Sequence, residues 1–180
     1  MGHLVITRPN TFALITGLVS SLLALSSGSA QEHVHSDPMP SDAKLGAVSF
    51  EISCKAELQP EFNRAVALLH SFWHSEAQRA FEKVAVADPN CAMAYWGVAM
   101  SHFHLGLSWP SQADLTAGTQ ALNEADAAPQ KTAREAAYIR ALRVLYDSFK
   151  PEDSWVYFQH YAEAMAQLAA AGGCCTTHIN

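Results

Sequence analysis

Basic residues are scarce in this sequence of 180 residues, and so are glycine and proline. Lys and Arg together number 11 against 17 Asp and Glu, which gives a formal net charge of −6. A nucleic-acid binder would show a clustered basic excess, so the composition excludes this class of partner. The 9 Gly and 8 Pro residues are too few for a collagen-like or linker-like chain. With 49% hydrophobic residues, the composition is that of one globular domain.

Known catalytic and cofactor motifs are missing as well. The sequence has no nucleophile elbow, no Walker loop, no glycine-rich dinucleotide turn and no C-x-x-C-H for haem attachment. We therefore expect neither an enzyme nor a bound cofactor.

One long hydrophobic run is present, at residues 12–25, and it contains no charged residue. Arg8 precedes it and small residues follow it, an order typical of a secretory signal peptide with cleavage between Ala30 and Gln31. A helix of this length reaches about 21 Å, which is short for a hydrocarbon core of about 30 Å, although an uncleaved anchor is the alternative. We expect an exported chain, periplasmic or extracellular, without a membrane span once the signal peptide (residues 1–30) is removed.

The mature chain divides into a lead, a helical region and a tail. Residues 31–57 form a flexible or extended lead, in which the alternation at 48–52 favours a short extended stretch. Over residues 58–171 the hydrophobic period is helical. Residues 172–180 form an irregular tail, which suggests a truncated end. The pattern predicts six helices, at about residues 59–72, 76–87, 91–104, 112–127, 131–149 and 154–171.

Capping and proline signals mark the helix ends. Ser75 with Gln78, and Thr132 with Glu135, have the spacing of a capping box and predict two helix starts. Prolines 40 residues apart end the second and fourth helices, so the six helices fall into three pairs. We therefore predict an all-α solenoid of helical hairpins. Its core is expected to hold the four tryptophans: Trp73, Trp96, Trp109 and Trp155.

A pattern of small and aromatic residues runs through the first helices. Its positions are Ala65, Ala77, Phe81, Pro89, Tyr95 and Ala99. Small residues let paired helices cross closely, the aromatic residue fills the next groove, and proline stops the second helix. Together with residues 62–72 and 88–101, this pattern resembles the opening of a family of exported bacterial tetratricopeptide-repeat proteins, whose lead segment residues 45–54 also fit. The resemblance implies a tetratricopeptide-like solenoid, in a family with longer arrays and mostly without assigned chemistry.

The repeat register also implies a disulfide. Cys54 and Cys91 each precede or open the first helix of adjacent repeats, and such helices stack side by side. Export permits oxidation, although two free buried thiols are the alternative. Cys174 and Cys175, with His178 in the tail, form an incomplete set of metal ligands.

Three functional hypotheses follow. The first is an interaction module that binds a protein or peptide on the concave surface of the solenoid, toward which the register places four residues: Asn63, His70, Tyr95 and His102. The second is extracytoplasmic metal binding by His33 and His35 with helix histidines, since imidazoles near the new N-terminus bind copper or nickel. The third is an N-terminal fragment of a longer repeat protein whose function lies elsewhere. For such an open array we expect marginal stability and self-association through the fifth and sixth helices.

Overall fold

The structure, a computed structural model, describes residues 45–104, 108–147 and 149–172. This part of the chain confirms the all-α prediction, with six α-helices and two short 3₁₀ turns, at Ala56–Leu58 and Pro151–Asp153. The predicted signal peptide and its cleavage point lie outside the described residues. The helices are α1 Gln59–His70, α2 His74–Ala87, α3 Ala92–Phe103, α4 Gln112–Ala127, α5 Ala133–Tyr146 and α6 Ser154–Ala170.

The helices are arranged as successive hairpins. Each helix packs against the next one along the chain, and the odd-numbered helices α1, α3 and α5 also contact one another in that order. Amphipathic helices joined by short connections bury their apolar faces most completely in this way. The result is a repeat-like stack of helices with one main hydrophobic core and a smaller buried cluster of Val84, Cys91 and Ala94.

The first hairpin and α3 pack closely because the interface is built from small residues and one aromatic ring. Phe81 of α2 is fully buried, and its ring centroid lies 5.4 Å from that of Phe62, edge to face. The same ring lies against Gly97 of α3, where a Cβ would stand 2.2 Å from it. The three small residues of the sequence pattern are fully buried as well: Ala65, Ala77 and Ala99.

A second close approach joins α3, α4 and α5. The Tyr146 ring lies against Gly118, where a Cβ would stand 2.1 Å from the hydroxyl oxygen. That hydroxyl donates a hydrogen bond to the carbonyl oxygen of Ala99 at 2.5 Å. Burial, and then the charge of Asp114, raise the pKa of Tyr146. Tyr146 therefore acts as a neutral donor that ties α5 to the backbone of α3.

Two capping boxes start helices in the second half of the chain. Thr132 and Glu135 form the predicted box at the start of α5, with each side chain accepting from the backbone N–H of the other residue. Ser111 and Asp114 form a second box at the start of α4, which the sequence analysis did not identify. Both boxes satisfy N–H groups that would otherwise lack partners at a helix start.

The capping box predicted at Ser75 is wrong, because α2 begins at His74 without a side-chain cap. Only three residues separate α1 from α2, so the end of the first helix determines where the second begins. The chain turns at Phe72, whose φ is 62°, and the N–H of Trp73 donates to the carbonyl of Leu68 at 3.0 Å. This is a Schellman turn with phenylalanine at the left-handed position that glycine usually occupies.

Candidate interaction surface

Residues 45–58, which we name the clasp segment, pack against the three odd-numbered helices. Phe50 is its anchor and is only 3% exposed. The Phe50 ring meets one aromatic ring from each helix: Phe62 of α1 at 5.6 Å, Trp96 of α3 at 5.7 Å and Tyr138 of α5 at 5.0 Å between centroids. The clasp segment therefore fills the face that these helices share.

Carboxamide side chains of α1 hold the backbone of the clasp segment. The N–H of Phe50 donates to Oδ1 of Asn63, and the N–H of Ile52 donates to Oε1 of Gln59, both at 3.1 Å. Gln59 also donates from Nε2 to the carbonyl of Phe50 at 2.7 Å. These bonds satisfy backbone polar groups of Phe50 and Ile52, which lie outside any helix.

Side chains of α5 hold the clasp segment from the other side. Ser53 donates to the carboxylate of Glu135 from its N–H at 2.7 Å and from its Oγ at 2.5 Å. Arg134 donates to the carbonyl of Glu51 at 2.9 Å, and its guanidinium carbon lies 4.6 Å from the ring centroid of Phe50. The clasp segment is thus fixed by charged groups of α5 as well as by amides of α1.

The predicted disulfide is confirmed. Cys54 of the clasp segment is bonded to Cys91, the residue before α3, with Cα atoms 4.9 Å apart. Next to it, the N–H of Lys55 donates to the buried carboxylate of Asp88 at 3.0 Å, and Nζ of Lys55 donates to the carbonyl of Ala87 at 2.9 Å. The C-terminal part of the clasp segment, at Cys54 and Lys55, is therefore attached to the connection between α2 and α3 both covalently and by hydrogen bonds.

Two of the predicted groove residues serve contacts within the chain. Asn63 binds the clasp segment. Tyr95 donates from its hydroxyl to the carbonyl of Pro89 at 3.2 Å. Burial, followed by the charges of Glu124 on α4 and Asp88, raises the pKa of Tyr95.

The other two predicted groove residues are His102 and His70. Nδ1 of His102 is 3.2 Å from Oδ1 of Asp114 on α4. Burial alone would raise the pKa of Asp114, but hydrogen bonds from Ser111 and His102 bring it below its ordinary value. His70 is exposed in the last turn of α1. Of the four residues predicted for one groove, three thus have separate partners: Asn63 binds the clasp segment, Tyr95 binds the carbonyl of Pro89, and His102 contacts α4.

The predicted metal ligands His33 and His35 lie outside the described residues, as do the tail cysteines Cys174 and Cys175. Within the described ranges, no group of three or more His, Cys, Asp or Glu could hold a metal ion. The histidines of α3 face different neighbours, since His102 meets α4 and His104 meets the start of α2.

A group of aromatic side chains, two of them exposed and three partly buried, lies where the segment before α4 meets the connection between α5 and α6. Trp109 is 52% exposed; its ring is stacked on Phe158 at 5.9 Å and lies 6.0 Å from Phe149. Tyr157 continues the group, 5.6 Å from Phe149, and Trp155, 71% exposed, lies one helical turn before Phe158. We name these five side chains the aromatic surface. The prediction that all tryptophans lie in the core is wrong for Trp109 and Trp155.

The aromatic surface rests on a buried ring. Phe103, the last residue of α3, is 1% exposed and lies 5.2 Å from Phe149, 6.3 Å from Phe158 and 5.4 Å from Tyr146. The Phe103 ring connects the aromatic surface to the core. Its contacts hold Phe149 and Phe158 in place. Trp109 stands in a Trp-Pro pair that interrupts the helical pattern, and this signal could have indicated a surface position.

Comparisons with protein families, with curated proteins and with solved structures find no match to this chain. In the described ranges, no helix has the length and apolar character needed to cross a membrane. Function must therefore be inferred from the surfaces and bonds of the chain itself.

Proposed function

We propose that this chain is an exported interaction module, a tetratricopeptide-like array of helical hairpins that binds a protein or peptide partner. The aromatic surface is the observation that carries the proposal. Exposed contiguous apolar patches are uncommon on monomeric proteins and usually mark interaction sites. Tryptophan, tyrosine and phenylalanine are also the residues enriched at protein interfaces, where they supply much of the binding free energy.

The partner binds at the aromatic surface rather than on the face that α1, α3 and α5 share. The clasp segment covers that face, with Phe50 packed among rings from all three helices. A competing peptide would have to expose Phe50, at a cost of about 1.5–3 kcal/mol. It would also have to replace the hydrogen bonds that Asn63, Gln59 and Glu135 make to the clasp segment.

The chemistry of the aromatic surface indicates the kind of partner. Trp109, which is stacked on the partly buried Phe158, and Trp155 on α6 offer exposed aromatic faces. Such faces bind aliphatic, aromatic or proline side chains through dispersion and burial of apolar area. The partner is therefore a protein or peptide segment that presents apolar side chains. No catalytic step is part of the proposal.

Export is supported by two features. The hydrophobic run at residues 12–25 has the order of a signal peptide. The second feature is the Cys54–Cys91 disulfide, because disulfides persist in oxidising compartments and are rare in the cytosol.

Selection of displayed peptides on the exported chain tests the binding site. We expect the selected peptides to be rich in apolar and aromatic residues. They should bind at least tenfold more weakly to Trp109→Ala and Trp155→Ala variants, because most binding energy resides in such anchors. Val86→Ala is the matched control, since Val86 is an exposed apolar residue on α2. Equal binding to all variants would contradict the proposed site.

A second copy of the chain is the other occupant to test, because the sequence predicts self-association through α5 and α6. Sedimentation velocity over a range of concentrations measures it directly. Self-association that disappears in Trp155→Glu but not in Val86→Ser would make the partner a copy of this chain. If the chain is a monomer at all concentrations, the partner of the aromatic surface is a different protein.

A further inference from the structure

The side chain of His74, the first residue of α2, is buried without a hydrogen-bond partner among the described residues. This side chain is 8% exposed, and neither ring nitrogen has a partner within the described part of the chain. A buried polar group without a partner destabilises the folded state, so its presence calls for an explanation. None of the surfaces described above uses this side chain.

Two residues beside the His74 ring, Phe72 and His104, have unusual backbone geometry. The His104 ring lies 5.4 Å from that of His74, and the Phe72 ring lies 6.3 Å from it. Phe72 and His104 have φ angles of 62° and 52° and are the only non-glycine residues with positive φ in the described ranges. Such conformations are sparsely populated for L-residues, and they cluster at functional and switching sites.

Among the described residues, no carboxylate forms a hydrogen bond or an ion pair with the His74 ring. As the first residue of α2 it lies at the positive end of the helix dipole, which disfavours a cation. The carboxylate of Asp114 on α4 is hydrogen bonded to His102 and Ser111, and Glu76 of α2 is paired with Arg79. At the helix ends of this part of the fold, the described titratable side chains are His70 in the last turn of α1, Glu76 in the first turn of α2, His102 and His104 at the end of α3, and Asp114 in the first turn of α4.

We propose that Phe72, His74 and His104 form an acid-sensitive latch, in which protonation of His74 opens the turn between α1 and α2 and separates it from the end of α3. A protonated ring at this position would be a buried cation at a helix N-terminus, next to a second imidazole. Opening the turn hydrates the cation and also releases the left-handed conformation of Phe72.

The direction of the pH dependence follows from the geometry. Burial, and secondly the neighbouring His104, lower the pKa of His74 from its ordinary value of about 6.5. In the opened state the ring is in water and regains that ordinary pKa. The latch is therefore closed above about pH 6.5 and loses stability as the pH falls from there toward the lower pKa of the closed state. Within this window, the equilibrium constant for opening rises up to about tenfold per pH unit for one proton.

Hydrogen exchange at pH 7.5 and 5.5, corrected for the intrinsic exchange rates, tests the latch. In the wild-type chain we expect protection to fall at low pH in residues 71–77 and 101–104, with the helices α5 and α6 unaffected. His74→Leu removes the titrating group and both unpartnered nitrogens while keeping the site filled. We expect this variant to keep its protection at pH 5.5 and to be at least as protected as the wild type at pH 7.5. His70→Leu, at an exposed histidine four residues earlier, should behave like the wild type.

Equal loss of protection in the wild type and in His74→Leu would overturn the latch. Should His74→Leu fail to fold, NMR titration of the His74 ring in the wild-type chain decides the question. A titration midpoint well below 6.5, accompanied by exchange broadening at Phe72 and Trp73, supports the latch. A midpoint at or above 6.5 overturns it.

Discussion

Ser53 and Glu135 are 82 residues apart in the sequence and share two hydrogen bonds, from the N–H and the Oγ of Ser53 to the two carboxylate oxygens. Glu135 is only 1% exposed, and it also accepts from the N–H of Thr132 at 2.6 Å. The Glu135 carboxylate therefore caps the start of α5 and also holds the clasp segment against this helix.

Removing this carboxylate should destabilise the fold. We expect Glu135→Ala to lower the free energy of unfolding by about 2–4 kcal/mol, because it removes a helix cap and leaves partly buried donors on Ser53 and Thr132 without partners. Urea unfolding followed by circular dichroism measures the change. Glu163→Ala, at an exposed position on α6, is the control and should stay within about 0.5 kcal/mol of the wild type. Equal stability of the two variants would show that the carboxylate does not fix the clasp segment.

The disulfide should make a large contribution to stability. Cys54 and Cys91 are separated by 37 residues, and closing a loop of this length restricts the unfolded chain by about 3–4 kcal/mol in the chain-entropy model. We expect the double variant Cys54→Ala/Cys91→Ala to be less stable by this amount, and a reductant to have no further effect on it.

Intact mass and a thiol count on the exported protein test the compartment as well as the bond. A mass that begins at Gln31, with Cys54 and Cys91 bridged, is the expected result. A full-length mass with four free thiols would contradict both export and the disulfide.

A single methyl group at Gly97 should disturb the first hairpin. The new Cβ of Gly97→Ala would stand 2.2 Å from the fully buried Phe81 ring, so the ring or α3 must move. Overpacking of this kind costs about 1–3 kcal/mol. Gly46→Ala is the matched control, since its Cβ would meet no atom within 4 Å. Adding Phe81→Leu to Gly97→Ala should cost less than the two single changes together, because the two sites share one space.

The capping box of α4 should make stability depend on pH in the acid range. Hydrogen bonds from Ser111 and His102 outweigh burial and lower the pKa of Asp114, so its carboxylate stabilises the folded state above the unfolded pKa of about 3.9. We expect Asp114→Asn to cost about 1 kcal/mol at pH 7. This difference should shrink as the pH falls below about 4 through the folded pKa. Asp147→Asn, an exposed carboxyl, should keep the wild-type profile; a constant deficit for Asp114→Asn at all pH values would argue against the assignment.

The helices could be predicted from the sequence because their signals are local. The 3.6-residue period and the prolines gave six helices, and Thr132 with Glu135 gave the start of α5. The start of α2 was predicted wrongly because Phe72 adopts a conformation that sequence patterns assign to glycine. The clasp segment was predicted only as an extended stretch, since its partners Asn63 and Glu135 lie far along the chain and no period links them to Phe50. The exposure of Trp155 was missed because an apolar side chain at helical spacing has the same pattern whether a neighbour covers it or not. The exposure of Trp109 was missed although it lies between two predicted helices and directly before a proline.

The bond between Cys54 and Cys91 also turns the first helical hairpin into a closed covalent ring. A motor or protease that pulls the chain from beyond Cys91 can extract the later helices one after another. On reaching Cys91 it meets a loop that cannot be drawn out as a single strand until a reductant opens it. The pulling force would then act from Cys91 directly on Cys54, and α1 and α2 would bear none of it.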